Sequence, residues 1–259
     1  MRIAAGIEYD GTAFSGWQSQ PGSRTVQGCV EQALSRVADH GVKVVCAGRT
    51  DTGVHATAQV IHFDTGAVRR MRSWILGANA NLPADVTVTW ARPVDERFHA
   101  RFGALERRYR YVILNRMVRP ALTRSRVCWD HHPLDAGLMA RAGAYLIGEH
   151  DFSSFRALAC QAKHPVRTIH RLDVARAGAY LYIDVTANAF LHHMVRNIAG
   201  VLIAVGRGEQ RPDWVPYLLQ ARDRSIGGVT APAAGLYLVD VRYPQEFDLP
   251  REVELPRFG

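Results

Sequence analysis

Apolar positions along this chain fall into two periods. Alternation, or a short β-branched run, marks strands at residues 2–9, 43–47, 58–63, 86–90, 107–114, 169–174, 180–186 and 236–243. Three-and-four spacing marks helices at residues 26–39, 69–79, 133–147, 190–206 and 213–221. In the first helix Val26, Cys29, Val30, Ala33, Leu34, Val37 and Ala38 share a face, and Thr25 stands where an N-cap belongs. The run Arg107-Arg108-Tyr109-Arg110-Tyr111 puts its tyrosines on one face of a strand and Arg108 and Arg110 on the other. Residues from Pro244 onward read as an irregular tail.

Both halves follow the same order: strand, helix, paired strands, helix, strand. This predicts an α+β protein with largely antiparallel sheet and two similar subdomains, at residues 1–105 and 106–246, followed by a tail at 247–259. A sheet spanning both subdomains would leave a cleft suited to a site. No repeat at the level of residues accompanies the parallel.

Composition narrows the class. Of the 259 residues, 47% are hydrophobic, enough for a core, and no apolar run reaches the roughly 20 residues that span a bilayer. The N-terminus enters a strand at once, so no signal peptide is expected. Cys29, Cys46, Cys128 and Cys160 form no CxxC pair, which fits reduced thiols and a cytoplasmic protein. The net charge is +8, with 32 basic against 24 acidic residues, and lysine occurs only at Lys43 and Lys163. Arginine suits bidentate phosphate contact and stacking on bases, so a polyanion, nucleic acid first, is the expected partner.

The segment Gly48-Arg49-Thr50-Asp51-Thr52-Gly53-Val54-His55-Ala56 follows the apolar run 42–47. It places the Asp51 carboxylate in a turn at a strand end, with Gly48 and Gly53 on either side. Such a residue either closes the turn or does chemistry there. Arg196 interrupts the apolar positions Phe190, Leu191, Met194, Val195, Ile198 and Val201. Buried, it demands a partner, for which Asp51 is the candidate; at the rim it would snorkel to water. Tyr109 reads as a packed sheet residue or as a platform for a base. His192-His193 and His131-His132 are adjacent pairs, and neighbours on a helix diverge too far to share a metal, so none is expected. No P-loop, dinucleotide fingerprint or nucleophile elbow is present, and no cofactor is expected.

In order and spacing, the Gly48–Ala56 segment, Arg107-Arg108-Tyr109-Arg110-Tyr111 and His192-His193-Met194-Val195-Arg196-Asn197 resemble the tRNA pseudouridine synthase A family. Tyr9-Asp10-Gly11, Gly16-Trp17-Gln18, Asn79-Ala80-Asn81-Leu82-Pro83, Phe98-His99-Ala100-Arg101, Asp151-Phe152-Ser153-Ser154-Phe155-Arg156 and Gly235-Leu236-Tyr237-Leu238 extend the likeness over residues 3–243. The loop 161–168 and the tail carry no match. The resemblance implies the pseudouridine synthase fold with a central basic cleft. It also implies a homodimer that isomerises uridine to pseudouridine at positions 38, 39 and 40 of the tRNA anticodon stem-loop. It places the essential carboxylate at Asp51, with Tyr109 on the flipped uracil and Arg196 beside the carboxylate. Arg49 would fill the gap left by the base, and Leu236 would wall the pocket. Arg108, Arg110, His192 and Arg156 would meet the RNA, with Arg69, Arg70, Arg72 and the 156–163 region as further phosphate contacts. The alternatives are an RNA-binding module without catalysis, a hydrolase in which Asp51 activates water, and a pseudouridine synthase acting on another RNA such as ribosomal RNA.

Overall fold

The computed structural model describes residues 1–158, 160, 162–251 and 253–258. Its strands are β1 (Arg2–Tyr9), β2 (Val45–Cys46), β3 (His55–Asp64), β4 (Val86–Val94), β5 (Glu106–Asn115), β6 (Cys128–Asp130), β7 (Gly148–Asp151), β8 (Val166–Ala177), β9 (Tyr180–Ala187) and β10 (Leu236–Arg242). Its helices are α1 (Val26–Ala38), α2 (Met71–Asn81), α3 (Ala136–Ala144), α4 (Met194–Gly206) and α5 (Trp214–Ala221). Two compact units result, Met1–Arg107 with Tyr237–Leu255, and Arg108–Leu236 with Pro256–Gly259. Most of the C-terminal strand β10 therefore belongs with the N-terminal half of the chain.

In the first unit the strand order is β4-β1-β3-β10. The β1 pairings to β3 and β4 are antiparallel, and β10 runs parallel to β3, with Tyr237 opposite His55. The two-residue strand β2 pairs with Ile61 and His62 at the far end of β3. Helix α1 packs on α2, and α2 on β4. Thr25 caps α1 as its position suggests, its hydroxyl accepting from the Gly28 amide at 3.3 Å. Buried Trp74 on α2 meets the Phe63 ring of β3 edge-on, with centroids 5.2 Å apart.

The strand expected over residues 43–47 shrinks to Val45–Cys46 because side chains of α1 take its backbone donors. The Val42 amide bonds Ser35 Oγ at 2.8 Å, and the Val44 amide bonds Glu31 Oε1 at 3.1 Å. The helix expected at 69–79 begins at Met71, leaving Arg69 and Arg70 in the exposed segment before it, with Arg70 in extended conformation.

In the second unit β5 is followed by β9, β8 and β7, and β6 lies parallel on β5. β8 and β9 form a long hairpin closed by Gly178-Ala179. β6 and β7 are additions to the sequence reading: each has three or four residues, too few for a period to show. α3 packs on β8, α4 and α5. Helix α4 is mostly buried, as its apolar positions require. It begins at Met194, four residues later than expected, because His193 takes the left-handed conformation at φ 61° and ends the preceding turn. His192 and His193 are therefore turn residues, and their rings lie 4.0 Å apart. The divergence of helical neighbours does not apply to them.

Candidate active site

The segment between β2 and β3 is fixed point by point. Ala47 continues the ladder, its amide bonding Val60 O at 2.8 Å, and its own carbonyl accepts from Arg107 Nη2 at 3.0 Å. Gly48 is gripped from both sides by Gln59, whose Nε2 donates to Gly48 O at 2.6 Å and whose Oε1 accepts from the Gly48 amide at 3.3 Å. Thr50 is buried: its carbonyl accepts from the Trp17 amide at 3.0 Å, and its hydroxyl shares a 2.8 Å hydrogen bond with Tyr9 Oη. The Asp51 carbonyl accepts from the Val54 amide at 3.1 Å, and Gly53 at φ 78° supplies the left-handed step that closes the turn. Gly16 presses against this turn at φ 86°, where an added Cβ would stand 2.8 Å from Thr50 O.

Asp51 is half-buried and Arg49 exposed at the tip of this turn. Just before it, burial pushes the Cys46 thiol up to about 12, against the pull of Arg49, Arg101 and Arg107. The chain beyond Asp51 is pinned by His55, which is buried, accepts from the Gly11 amide at 3.0 Å through Nδ1 and stacks on Tyr237 at 4.7 Å.

The second unit carries the other candidates, with Arg196 and His192 at the start of α4 and Tyr109 against Phe190 just before it. Arg196 lies in the first turn of α4, half-buried, and donates from Nε to Ala231 O at 2.9 Å. The Ala231 amide returns a bond to Arg196 O at 3.1 Å. Tyr109 on β5 is buried and meets Phe190 edge-on at 5.0 Å. His192 is exposed, and its carbonyl accepts from the Ala157 amide at 2.9 Å, next to half-buried Arg156. Leu236 is buried at the first position of β10.

Arg108 and Arg110 share a face of β5 as the alternation requires, and the structure shows what occupies them. Arg110 is buried and bonds Asp184 through Nε at 3.0 Å and Nη2 at 2.6 Å, with its guanidinium over the Tyr182 ring. Arg108 is half-buried, with Nη2 3.4 Å from the same carboxylate. Of the 156–163 region, residues 159 and 161 lie outside the described residues. Asp130, His131 and His132 bring possible ligand atoms within 4.8 Å, but the Asp130 carboxylate already carries the Arg207 guanidinium at 2.8 Å.

Sequence reasoning missed Gln59, and named Thr50, Arg107 and Asn197 only as motif positions without a role. Buried Asn197 donates to Phe155 O at 2.7 Å and accepts from Thr230 Oγ1 at 2.7 Å, so it ties the 153–155 turn to α4 and the 224–230 loop. An amide in an apolar helix, one residue after Arg196, was the available signal.

Residues 5–103 and 142–244 match the model of the tRNA pseudouridine synthase family. A relative from Nitrosococcus oceani is 62% identical over 251 residues, 97% of each chain. One from Alcanivorax borkumensis is 58% identical over 252 residues, 97% of this chain and 94% of the relative. One from Vibrio vulnificus is 58% identical over 258 residues, 100% of this chain and 98% of the relative. All three are named tRNA pseudouridine synthase A. With the match covering most of the chain and identities this high over nearly its full length, the chain belongs to the tRNA pseudouridine synthase A family.

Proposed function

We propose that this protein isomerises uridine to pseudouridine in tRNA, with Asp51 as the reacting carboxylate. The reaction breaks the N1–C1′ bond, turns the uracil and joins C1′ to C5. The C5 proton leaves and N1 gains one, so no electron donor or acceptor enters. The observation that carries this reading is the Asp51 turn: a half-buried carboxylate on a backbone fixed at Gly48, Thr50 and Val54. Preorganised charge of this kind stabilises a developing cation at C1′, delivers a nucleophile to C1′ or C6, or takes the C2′ proton.

The target base leaves its stack before any of these steps. Tyr109 supplies the aromatic contact for the flipped uracil, Leu236 an apolar wall, and Arg49 the group that enters the vacated stack. Arg196 supplies positive charge to the reacting centre. Arg108, Arg156 and His192 bind the RNA. Arg110, committed to Asp184, is left out of this set. The substrate positions are 38, 39 and 40 of the anticodon stem-loop, and the working form is a cytoplasmic homodimer. Among the described residues no helix is long and apolar enough to cross a membrane.

The test is tritium release from an unmodified tRNA transcript carrying 5-³H-uridine, with EDTA present, for wild type and Asp51→Ala. Release by wild type alone, mapped to the 3′ side of the anticodon arm, is expected. Salt-sensitive binding without release would overturn the isomerase reading in favour of a binding module. Free uracil or strand cleavage would make it a hydrolase. Release from ribosomal RNA alone would move the target.

A further inference from the structure

Asp51 reaches its place through a backbone that regular structure has already left. The last ladder bond of this segment joins Ala47 to Val60, and Gly48 lies one residue beyond it. The Gln59 side chain, fully buried on β3, extends the ladder by that residue, offering Gly48 one donor and one acceptor as a strand neighbour would. Two residues on, Thr50 is fixed again, through its carbonyl by Trp17 and through its hydroxyl by Tyr9 of β1. Gln59 and Tyr9 sit on paired strands whose register sets Ile7 opposite Gln59 and Tyr9 opposite Ala56. The pairing steps by two residues on β1 and three on β3 between these points, so Gln59 and Tyr9 flank a bulge in an otherwise continuous antiparallel ladder. A buried amide and a buried phenol need polar partners, and both find one on the segment that carries Asp51.

We propose that Gln59 and Tyr9 are positioning residues for the Asp51 carboxylate, Gln59 acting through Gly48 and Tyr9 through Thr50. The proposal rests on Asp51 being the reacting group. It adds that the sheet, and not the loop alone, sets where that group stands. Loss of either clamp lets the turn, with Asp51 and Arg49, drift while Arg108, Arg156 and His192 stay in place, so the cost falls mainly on turnover.

The experiment compares wild type, Gln59→Leu, Tyr9→Phe, Thr50→Val and the Tyr9→Phe/Thr50→Val double variant of the full chain. Backbone amide exchange across residues 47–54 reads the clamp directly, and tritium release reads kcat and KM for tRNA. Melting temperature checks the fold. Gln59→Leu is expected to speed exchange at Gly48 and to lower kcat about tenfold to a hundredfold, with KM within about twofold. Tyr9→Phe and Thr50→Val delete the two halves of one bond, so the double variant should be no slower than the slower single. Unchanged exchange in Gln59→Leu overturns the clamp. Faster exchange with unchanged kcat overturns the positioning role and leaves Gln59 a structural residue. Independent, multiplying losses in the double variant overturn the Tyr9 arm. Should wild type release no tritium, the isomerase reading fails, while the exchange arm still decides whether Gln59 holds the loop.

Discussion

Arg110 and Asp184 form a forked pair across the second unit's sheet, with Nε and Nη2 meeting the two carboxylate oxygens at 3.0 and 2.6 Å. Arg108, two residues earlier on the same face, reaches the same carboxylate at 3.4 Å. Two guanidiniums therefore share one acid, and burial divides their work: Arg110 is 7% exposed, while Arg108 keeps access to solvent. Removing Arg110 leaves a nearly buried carboxylate with only the longer contact. Arg110→Ala is expected to cost about 3 kcal/mol of stability by urea unfolding, with KM for tRNA changed little at a temperature where the variant stays folded. Arg108→Ala should do the reverse, raising KM and flattening the salt dependence of binding while barely moving the unfolding midpoint.

Arg196 joins the Ala231 carbonyl through Nε, at the end of its side chain nearest the backbone. That bond orients the guanidinium plane and directs its outer edge. A lysine carries the charge but has no Nε donor with which to hold the orientation. Arg196→Lys is expected to fold normally and to lose most activity, at least about tenfold in kcat. Retained activity would reduce Arg196 to a structural tie between α4 and the 231 segment.

Tyr109 packs its ring against the edge of Phe190 and is 7% exposed, so its fixed orientation comes from the sheet and one aromatic neighbour. Tyr109→Phe keeps the ring and should retain base stacking, so any loss in tritium release isolates the hydroxyl. Tyr109→Ala removes the platform and should lower kcat further, by about 1–3 kcal/mol in transition-state terms. Equal activity in the two variants would remove the stacking role.

The sequence was most legible where a local signal sufficed. Thr25 caps α1 because a hydroxyl ahead of a helical stripe has one obvious use, and the Arg108/Arg110 alternation appears in the sheet as a shared carboxylate. The reading gave out where a distant partner decides the outcome. Arg110 looked like a phosphate ligand because its partner Asp184 lies 74 residues away on β9. Residues 43–44 looked like strand, but Glu31 takes the Val44 amide, and nothing local announces that Glu31 is buried. The α4 start was misplaced because a left-handed His193 cannot be read from an apolar run that continues through it. Gln59 was invisible for the same reason: a glutamine in a strand is ordinary until Gly48 is found beside it.

One buried histidine sets a pH limit on the first unit. His62 accepts from the Ala100 amide at 3.1 Å through Nδ1, beside His99 at 4.8 Å between ring centroids. Burial, then His99 and Arg2, lower its pKa from 6.5 to about 4, with Asp64 pulling weakly the other way. In the unfolded chain the ring takes a proton near pH 6.5; in the fold it stays neutral until about 4. Above the unfolded value both states are neutral and the group contributes no slope. Between 6.5 and 4 only the unfolded state binds the proton, so stability falls as pH falls, by ~3 kcal/mol at most once the folded value is reached. His99, also lowered mainly by burial, adds in the same direction. Urea unfolding at pH 7.5, 6, 5 and 4.5 should show this loss. His62→Gln keeps an oxygen that can accept from Ala100 but cannot titrate. It should start less stable at pH 7.5 and lose less on the way down, whereas a slope equal to wild type would assign the acid sensitivity to other groups.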